Sequence, residues 1–271
     1  MKNKWAMGAL ALFAAQAGWA GLIVNTQTTA CLDNSSHCSF AGSGTLTNGA
    51  ESNTFTQAAT ATSGIMHISA ASTFSVNNSE AWSLAFVQFK ENLTINSASK
   101  NGQTGHLVLG YRIDGTVAQS GVADSFLQVV SRVYAPTLQN YVKDYNTNTD
   151  GSFIIPLVYT FIYGQQFTLD MSMQAMVGTA NDLGNGYQLV NRTGTGSGNV
   201  NFINTLVVNQ LTTNDVNDQN VSDSTFTADS GAVYTQAGVS TVPEPATILM
   251  AAFGIVAIVL HRTTKPAYRR S

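Results

Sequence analysis

Charged residues are scarce in this 271-residue chain, where Asp, Glu, Lys and Arg together make up 10% of the sequence. Half of the twelve Lys and Arg residues lie near the two ends. Residues 21–241 therefore hold six of them against fourteen acids, a net charge of −8. A region so poor in cations suits neither the phosphate backbone of a nucleic acid nor an anionic lipid surface. We expect no nucleic-acid partner for it.

Cysteine is also rare, because the chain has only Cys31 and Cys38. Two cysteines this close together favour a disulfide in an oxidising compartment, which would stabilise the fold by roughly 2–3 kcal/mol. His37, next to Cys38, raises the alternative of a metal site. A closed zinc site needs four ligands, and only three candidates are present locally. We therefore expect a disulfide, and neither a metal nor another cofactor.

Long amphipathic helical patterns are missing between residues 21 and 241. The region instead has roughly eight to ten runs of strand length separated by turn residues, and Phe167–Met173 alternates strictly between apolar and polar residues. Its many Ser, Thr, Asn and Gly residues are typical of exported β proteins. We expect residues 21–234 to form an all-β ectodomain, a β-sandwich or jelly-roll-like fold, followed by a short polar linker at 235–241.

Three local features are predicted within this domain. The apolar pattern changes phase between Phe86 and Phe89, which predicts a bulge near Gln88. The dipeptide Asp114-Gly115 predicts a hairpin turn. The glycine- and asparagine-rich stretch 181–199 predicts a long loop.

The N-terminus has the three parts of a secretory signal peptide. A short basic segment precedes an apolar run from Trp5 to about Ala17, and the small residues Gly18 and Ala20 stand where signal peptidase reads them before a cut. The apolar run is too short to span a bilayer comfortably. We expect residues 1–20 to be a signal peptide that signal peptidase removes after Ala20.

A second apolar run, at residues 246–260, carries no charge. Counted from Val242 it offers roughly 28 Å of helix, enough to cross a bilayer core. A buried core helix would have a polar face, which this run lacks, so we expect a transmembrane helix. The basic residues that follow should stay in the cytoplasm by the positive-inside rule; they are Arg262, Lys265, Arg269 and Arg270.

A short proline motif, Val242-Pro243-Glu244-Pro245, stands directly before this helix. Its two prolines enforce an extended segment with few hydrogen bonds, a conformation that suits a protease groove, and Glu244 offers the groove a charge contact. The order of motif, apolar helix and basic tail over residues 242–271 resembles the PEP-CTERM sorting signal.

The resemblance implies a processing partner and a location. In that family an exosortase, a membrane-embedded transpeptidase similar to a cysteine protease, is thought to cut near the motif. The chain would be held for a time in the inner membrane and then reach the cell surface or the extracellular matrix. The family also implies a role alongside extracellular polysaccharide in biofilm, and no enzymatic activity.

Calcium ligands are suggested by one stretch only. Asn146, Asn148 and Asp150, followed by Gly151, resemble the start of an EF-hand loop. The twelfth position of that loop should be an acid, and here it is Leu157. A polar hairpin turn between two strands is the simpler interpretation, and the three residues remain weak metal candidates.

Other catalytic patterns are absent from the sequence. There is no Gly-x-Ser-x-Gly nucleophile elbow, and Gly194–Gly198 is interpreted as a flexible loop. The spacing of Asp215, Asp218 and Asp223 fits no standard site, so we expect a solvated acidic loop.

These observations favour a non-catalytic protein of the cell surface or extracellular matrix. The alternative is a carbohydrate-binding module, and less favoured still is a secreted polysaccharide hydrolase with a carboxylate pair. A carbohydrate-binding module would need an aromatic platform, for which the candidates are Tyr111, Tyr134, Tyr141, Tyr145, Tyr159 and Tyr163.

Overall fold

A computed structural model describes residues 22–33, 36–134, 141–148, 150–182, 187–235 and 238–240. Every regular element among these residues is a β-strand. The strands are β1 (Leu22–Leu32), β2 (His37–Ser39), β3 (Ser43–Asn48), β4 (Glu51–Thr62), β5 (Ile65–Ser79), β6 (Ala81–Asn96), β7 (Thr104–Gly121), β8 (Asp124–Tyr134), β9 (Tyr141–Thr147), β10 (Gly151–Ile162), β11 (Gln166–Gly178), β12 (Ala180–Asp182), β13 (Tyr187–Leu189), β14 (Arg192–Asp215), β15 (Thr225–Ala228), β16 (Val233–Thr235) and β17 (Gly238–Ser240).

Two antiparallel sheets contain most of these strands. The first sheet has the order β2-β1-β6-β11-β8-β9, with β15 paired to one end of β6. The second sheet has the order β10-β7-β14-β5-β4-β3. The short strands β12 and β13 form a separate two-stranded sheet, and so do β16 and β17. The prediction of an all-β fold with antiparallel sheets is confirmed.

The hydrophobic core lies between the inner faces of the two sheets, in a sandwich-like arrangement. Strand β6 shows the pattern, because Ala85, Val87 and Phe89 are buried while the residues between them are only half-buried. Alternation places every second side chain on the same face. One continuous core cluster draws on both sheets; its members include Val87, Phe89, Leu169, Met171, Ile68, Leu109 and Phe202.

The predicted bulge near Gln88 is absent, because β6 pairs with β1 and β11 without a register shift. The inward side chains around it are the small Ala85 and the medium-sized Val87, while the larger Phe86 points to the outer face and is half-buried there. The change of phase was inferred from the bulkiest apolar residues, Phe86 and Phe89. The inner face of β6 is instead formed by every second residue, whatever its size.

The predicted hairpin at Asp114-Gly115 is also wrong, because β7 runs through both residues without turning. A Cβ added to Gly115 would lie 2.4 Å from Cδ1 of Phe202 and 2.5 Å from the carbonyl oxygen of Asn201. Glycine is needed here because the backbone of β7 passes close to β14, which is a recognised use of glycine inside strands.

The predicted long loop at 181–199 is replaced in the described residues by β12, β13 and the first part of β14. In β14, Gly196 and Gly198 point inward, and Ser197 between them points outward. A Cβ on Gly196 would lie 2.7 Å from the Phe74 ring, and one on Gly198 would lie 2.2 Å from Ser125 Oγ. Gly196 leaves room for the Phe74 ring of the neighbouring strand β5, and Gly198 leaves room for Ser125 and Val177 of the first sheet. Gly194–Gly198 is therefore a strand segment and not a flexible loop.

The ends of the domain are described only in part. Strand β17 and the last residue of β16 lie within the stretch 235–241 predicted as a polar linker. The compact unit that holds all the described strands ends at Ser240. The predicted signal peptide and the sorting tail at 242–271 lie outside the described residues. Within the described residues, no helix has the length and apolar character that crossing a bilayer requires.

We expect Gly196→Ala to destabilise the fold, because its Cβ would also lie 2.8 Å from the backbone nitrogen of Ala123. The free energy of unfolding should fall by about 1–3 kcal/mol, the usual cost of overpacking a core. Urea denaturation measures this loss. Ser197→Thr is the matched control, since it adds a methyl group to the outer face of the same strand; equal effects of the two changes would contradict the inward role of Gly196.

Candidate functional site

The two cysteines form a disulfide in the structure. Cys31 on β1 lies directly opposite Cys38 on β2, and the two are bonded. Cys31 packs in a small apolar cluster on the outer side of the first sheet with Trp82, Phe126 and Met176. Within the described residues, no group of three or more His, Cys, Asp or Glu side chains could hold a metal ion.

The calcium-like stretch has a different structural setting from the predicted hairpin. Strand β9 ends at Thr147 in the first sheet, and β10 begins at Gly151 in the second. Asp150 accepts a hydrogen bond from the backbone N–H of Val117, and Asn148 is exposed. Leu157 is buried in the core. The side chain of Asn146 lies outside the described part of the structure.

Three of the six tyrosines proposed as an aromatic binding platform are buried and cannot contact a ligand at the surface. Tyr111, Tyr159 and Tyr163 are each 1% exposed, and they belong to the core. Tyr159 donates a hydrogen bond to Ser131 Oγ at 2.6 Å, and Tyr163 donates one to the carbonyl oxygen of Asn214 at 3.2 Å. Tyr134 is half-buried on β8. The side chains of Tyr141 and Tyr145 are not among those described.

The acidic stretch is solvent-exposed at Asp218 and Asp223, whereas Asp215 is buried at the end of β14. Asp215 binds Lys100 at 3.1 Å and accepts hydrogen bonds from the backbone N–H groups of Asn217 and Gln219. These contacts hold the pKa of the Asp215 carboxyl below its usual value, the Asn217 N–H contributing most.

Asp223 in the same loop accepts hydrogen bonds from Ser97 Oγ at 2.8 Å and from the Ser99 N–H at 3.1 Å, and the Ser97 bond does most to lower its pKa. Asp218 contacts His106 at 2.8 Å. Each of the three acids therefore ties the loop after β14 to β7 or to the turn between β6 and β7.

A buried carboxyl group that sequence reasoning missed lies at Glu91, which is fully buried at an inward position of β6. It accepts hydrogen bonds from Ser230 and Tyr234, and Ser63 Oγ lies 3.4 Å from its Oε1. These donors come from the β4–β5 turn and from the segment around β16. The sequence did carry a signal, because Glu91 falls between Phe89 and Leu93 in the inward series.

Burial raises the pKa of Glu91, and the three hydroxyl donors oppose that rise only in part. Burial likewise raises the pKa of Tyr234 well above its usual value, with the negative charge of Glu91 as a second cause. Perturbed acids are common at functional sites and also in structural networks. Because this carboxyl is sealed from solvent, its described contacts fasten the segment around β16 to the sandwich.

On the outer face of the first sheet, a polar network crosses β1, β6 and β11. Asn25 donates to Gln88 at 2.9 Å, and Gln88 donates to Asp170 at 2.7 Å. Asp170 is almost fully buried, and Lys90 Nζ lies 3.3 Å from its second oxygen. The network neutralises and fixes the carboxylate within the sheet surface.

The outer face of the second sheet carries a row of aligned hydroxyl groups across five strands, which we call the hydroxyl row. Each member lies directly opposite the next in the strand register. Two neighbouring pairs are hydrogen-bonded, Thr45 to Thr54 at 3.1 Å and Ser120 to Ser197 at 2.8 Å. The row consists of Thr45, Thr54, Thr73, Ser197 and Ser120.

A groove of about 310 Å³ lies over one end of this row. Its lining includes Thr73, Ser120, Ser197 and Asn199, with Ala118 and Gly198 between them. The hydroxyl and amide groups can both donate and accept hydrogen bonds. None of the residues that line the groove has a titratable side chain.

Comparison with known proteins adds no assignment. No family model and no curated protein matches the chain. Among solved structures, Peruvianin-I, a cysteine peptidase from Thevetia peruviana latex, has 17% identity over 51% of this chain and 67% of its own, with a TM-score of 0.11. That score is too low to support an argument about fold or activity.

We expect the stability difference between the wild type and Glu91→Gln to depend on pH. Because the folded pKa of Glu91 is raised, the folded state binds more protons than the unfolded state between about pH 4.5 and the folded pKa. The contribution of Glu91 is complete below about pH 4.5 and is lost as pH rises through the folded pKa. The variant has no such titration.

Urea denaturation of both proteins at several pH values from about 4.5 to about 8 tests this expectation. The advantage of the wild type over Glu91→Gln should shrink as pH rises. Glu51→Gln is the control, since Glu51 binds Asn77 and Ser79 and lies outside the cluster. A wild-type advantage that stays constant with pH would show that Glu91 titrates normally.

Proposed function

We propose that this chain is an exported, non-catalytic protein of the cell surface or extracellular matrix, processed by an exosortase-like enzyme at Val242-Pro243-Glu244-Pro245. The observation that carries the proposal is the order of parts around the folded domain. The last described strand ends at Ser240, two residues before the motif. The apolar run 246–260 and the basic tail follow at once.

The described domain supports export in two ways. Its disulfide between Cys31 and Cys38 belongs to a compartment outside the reducing cytosol. Its outer faces present hydroxyl and amide groups with few charges, which suits a protein that works in an extracellular matrix. Signal peptidase would act after Ala20, and the inner membrane would hold the precursor through the C-terminal helix until the motif is cut.

Replacing Pro243, Glu244 and Pro245 together by alanine should leave the precursor uncut in the inner membrane. The change removes both the extended backbone and the acid that an exosortase-like enzyme would read. Intact mass spectrometry of the protein from the native cell, with separation of membrane and extracellular fractions, measures both cut sites and any attached group.

Thr263→Ala with Thr264→Ala is the matched control, since it alters the tail without touching its charges. The control should mature like the wild type. Normal maturation of the triple-alanine variant would reject processing at this motif, and a mature mass that retained residues 1–20 would reject export through a cleaved signal peptide.

A further inference from the structure

We propose that the groove over the hydroxyl row is a binding site for an uncharged polysaccharide chain. The inference rests on the proposed function, because such a polymer would be met outside the cell. It replaces the predicted tyrosine platform, three of whose members are buried, with a surface made of hydroxyl and amide groups.

The first support is the chemistry of the lining. Thr73, Ser120, Ser197 and Asn199 offer groups that donate and accept hydrogen bonds, as sugar hydroxyl groups do. A site made of such groups satisfies a polyol without burying a charge, whose desolvation would be costly. Apolar ligands would leave these groups unpaired.

The second support is the regular arrangement of the hydroxyl row. Neighbouring strands in a sheet lie about 4.8 Å apart, so the five hydroxyl groups recur at about that interval across the sheet. A second row, one step along the strands, consists of Thr47, Ser52, Ser75 and Thr195. Repeated, evenly spaced hydrogen-bonding groups match a polymer with a repeating unit better than an isolated small molecule.

The third support is electrostatic. Residues 21–241 carry a net charge of −8, so a polyanion would be repelled from the domain. None of the residues that line the groove is charged, and therefore no local cation offsets that repulsion. The occupant that fits both facts is a neutral polysaccharide.

The shape of the groove agrees with this occupant. It lies over the glycine-containing part of β14, and its wall residues Thr73 and Ser120 come from the strands on either side of β14. The small residues Ala118 and Gly198 leave room between the polar groups. An extended chain can lie across such a surface without being enclosed.

The test compares the full wild-type chain, purified in detergent, with the variant Thr73→Val/Ser120→Ala/Ser197→Ala by affinity electrophoresis. The probes are dextran, soluble starch, a β-1,3-glucan and a galactomannan, with alginate as the charged comparison. We expect at least one neutral polymer to bind, and the triple variant to bind it at least about tenfold more weakly. Binding should change little up to about 1 M salt, since no ion pair contributes.

A matched control removes the same number of hydroxyl groups from the same face, away from the groove. Thr60→Val/Thr62→Val/Thr160→Val is suitable, because all three residues are exposed and Thr160 lies beside His106, at the other end of β7 from the groove. It should bind like the wild type. Asn199→Asp, which adds a charge at nearly constant size, should weaken binding of the neutral polymer even if the triple variant folds poorly.

Three results would overturn the proposal: no neutral polymer binds, the groove variants bind as well as the wild type, or alginate binds in preference. These results leave the sorting proposal standing, since that is decided by processing of the Pro243, Glu244 and Pro245 variant. Normal processing of the Pro243, Glu244 and Pro245 variant would reject the sorting proposal, and the binding experiment would still decide the groove proposal.

Discussion

The tight packing around β14 depends on side chains that are missing from its inner face. Gly196 faces the ring of Phe74, and Gly198 faces Ser125 and Val177, at distances where a Cβ atom would collide. Glycine inside a strand weakens it in isolation. Here the cost is offset because β14 is held on both sides by β5 and β7. The same alternation sends Thr195 and Ser197 outward, so close packing inside and the hydroxyl surface outside arise from one sequence pattern.

The interior of the sandwich is held together by polar groups as well as by apolar ones. Asn53 on β4 donates hydrogen bonds to the carbonyl oxygens of Cys31 and Trp82, at 2.9 and 3.1 Å, in the opposite sheet. Gln57, four residues further along, donates to the carbonyl oxygen of Thr29 and to Ser83 Oγ, both at 2.7 Å. Buried donors need partners, so these bonds favour one alignment of the two sheets over its alternatives. Glu91 fixes the position of the segment around β16 in the same way, through its hydrogen bonds from Ser230 and Tyr234.

Strand-forming regions were readable from the sequence where bulky apolar residues alternate with polar ones. Phe167–Met173 lies within β11, and its odd-numbered residues are buried as the alternation requires. Predictions failed where glycine stands at an inward position, as at Gly115 and Gly196. A glycine has no side chain to show which face it occupies, and it favours turns in isolation. Only the neighbouring backbone, which the sequence pattern does not contain, decides that these positions are extended.

The candidate site was harder to predict for a related reason. Tyr111 and Tyr159 lie at inward positions of β7 and β10, and the alternation of those strands could have revealed their burial. The hydroxyl row has no such local signal, because its five members lie on five different strands whose order in the sheet differs from their order in the chain. They are Thr45, Thr54, Thr73, Ser197 and Ser120. Their alignment is set by the register of four strand pairs at once, and a shift of one residue in any pair would turn that strand's hydroxyls inward. The buried amides and the inward glycines both oppose such a shift. The surface is therefore as precise as the interior that fixes it, and an uncharged face of aligned hydroxyl groups can be built from residues that are individually common in β-strands.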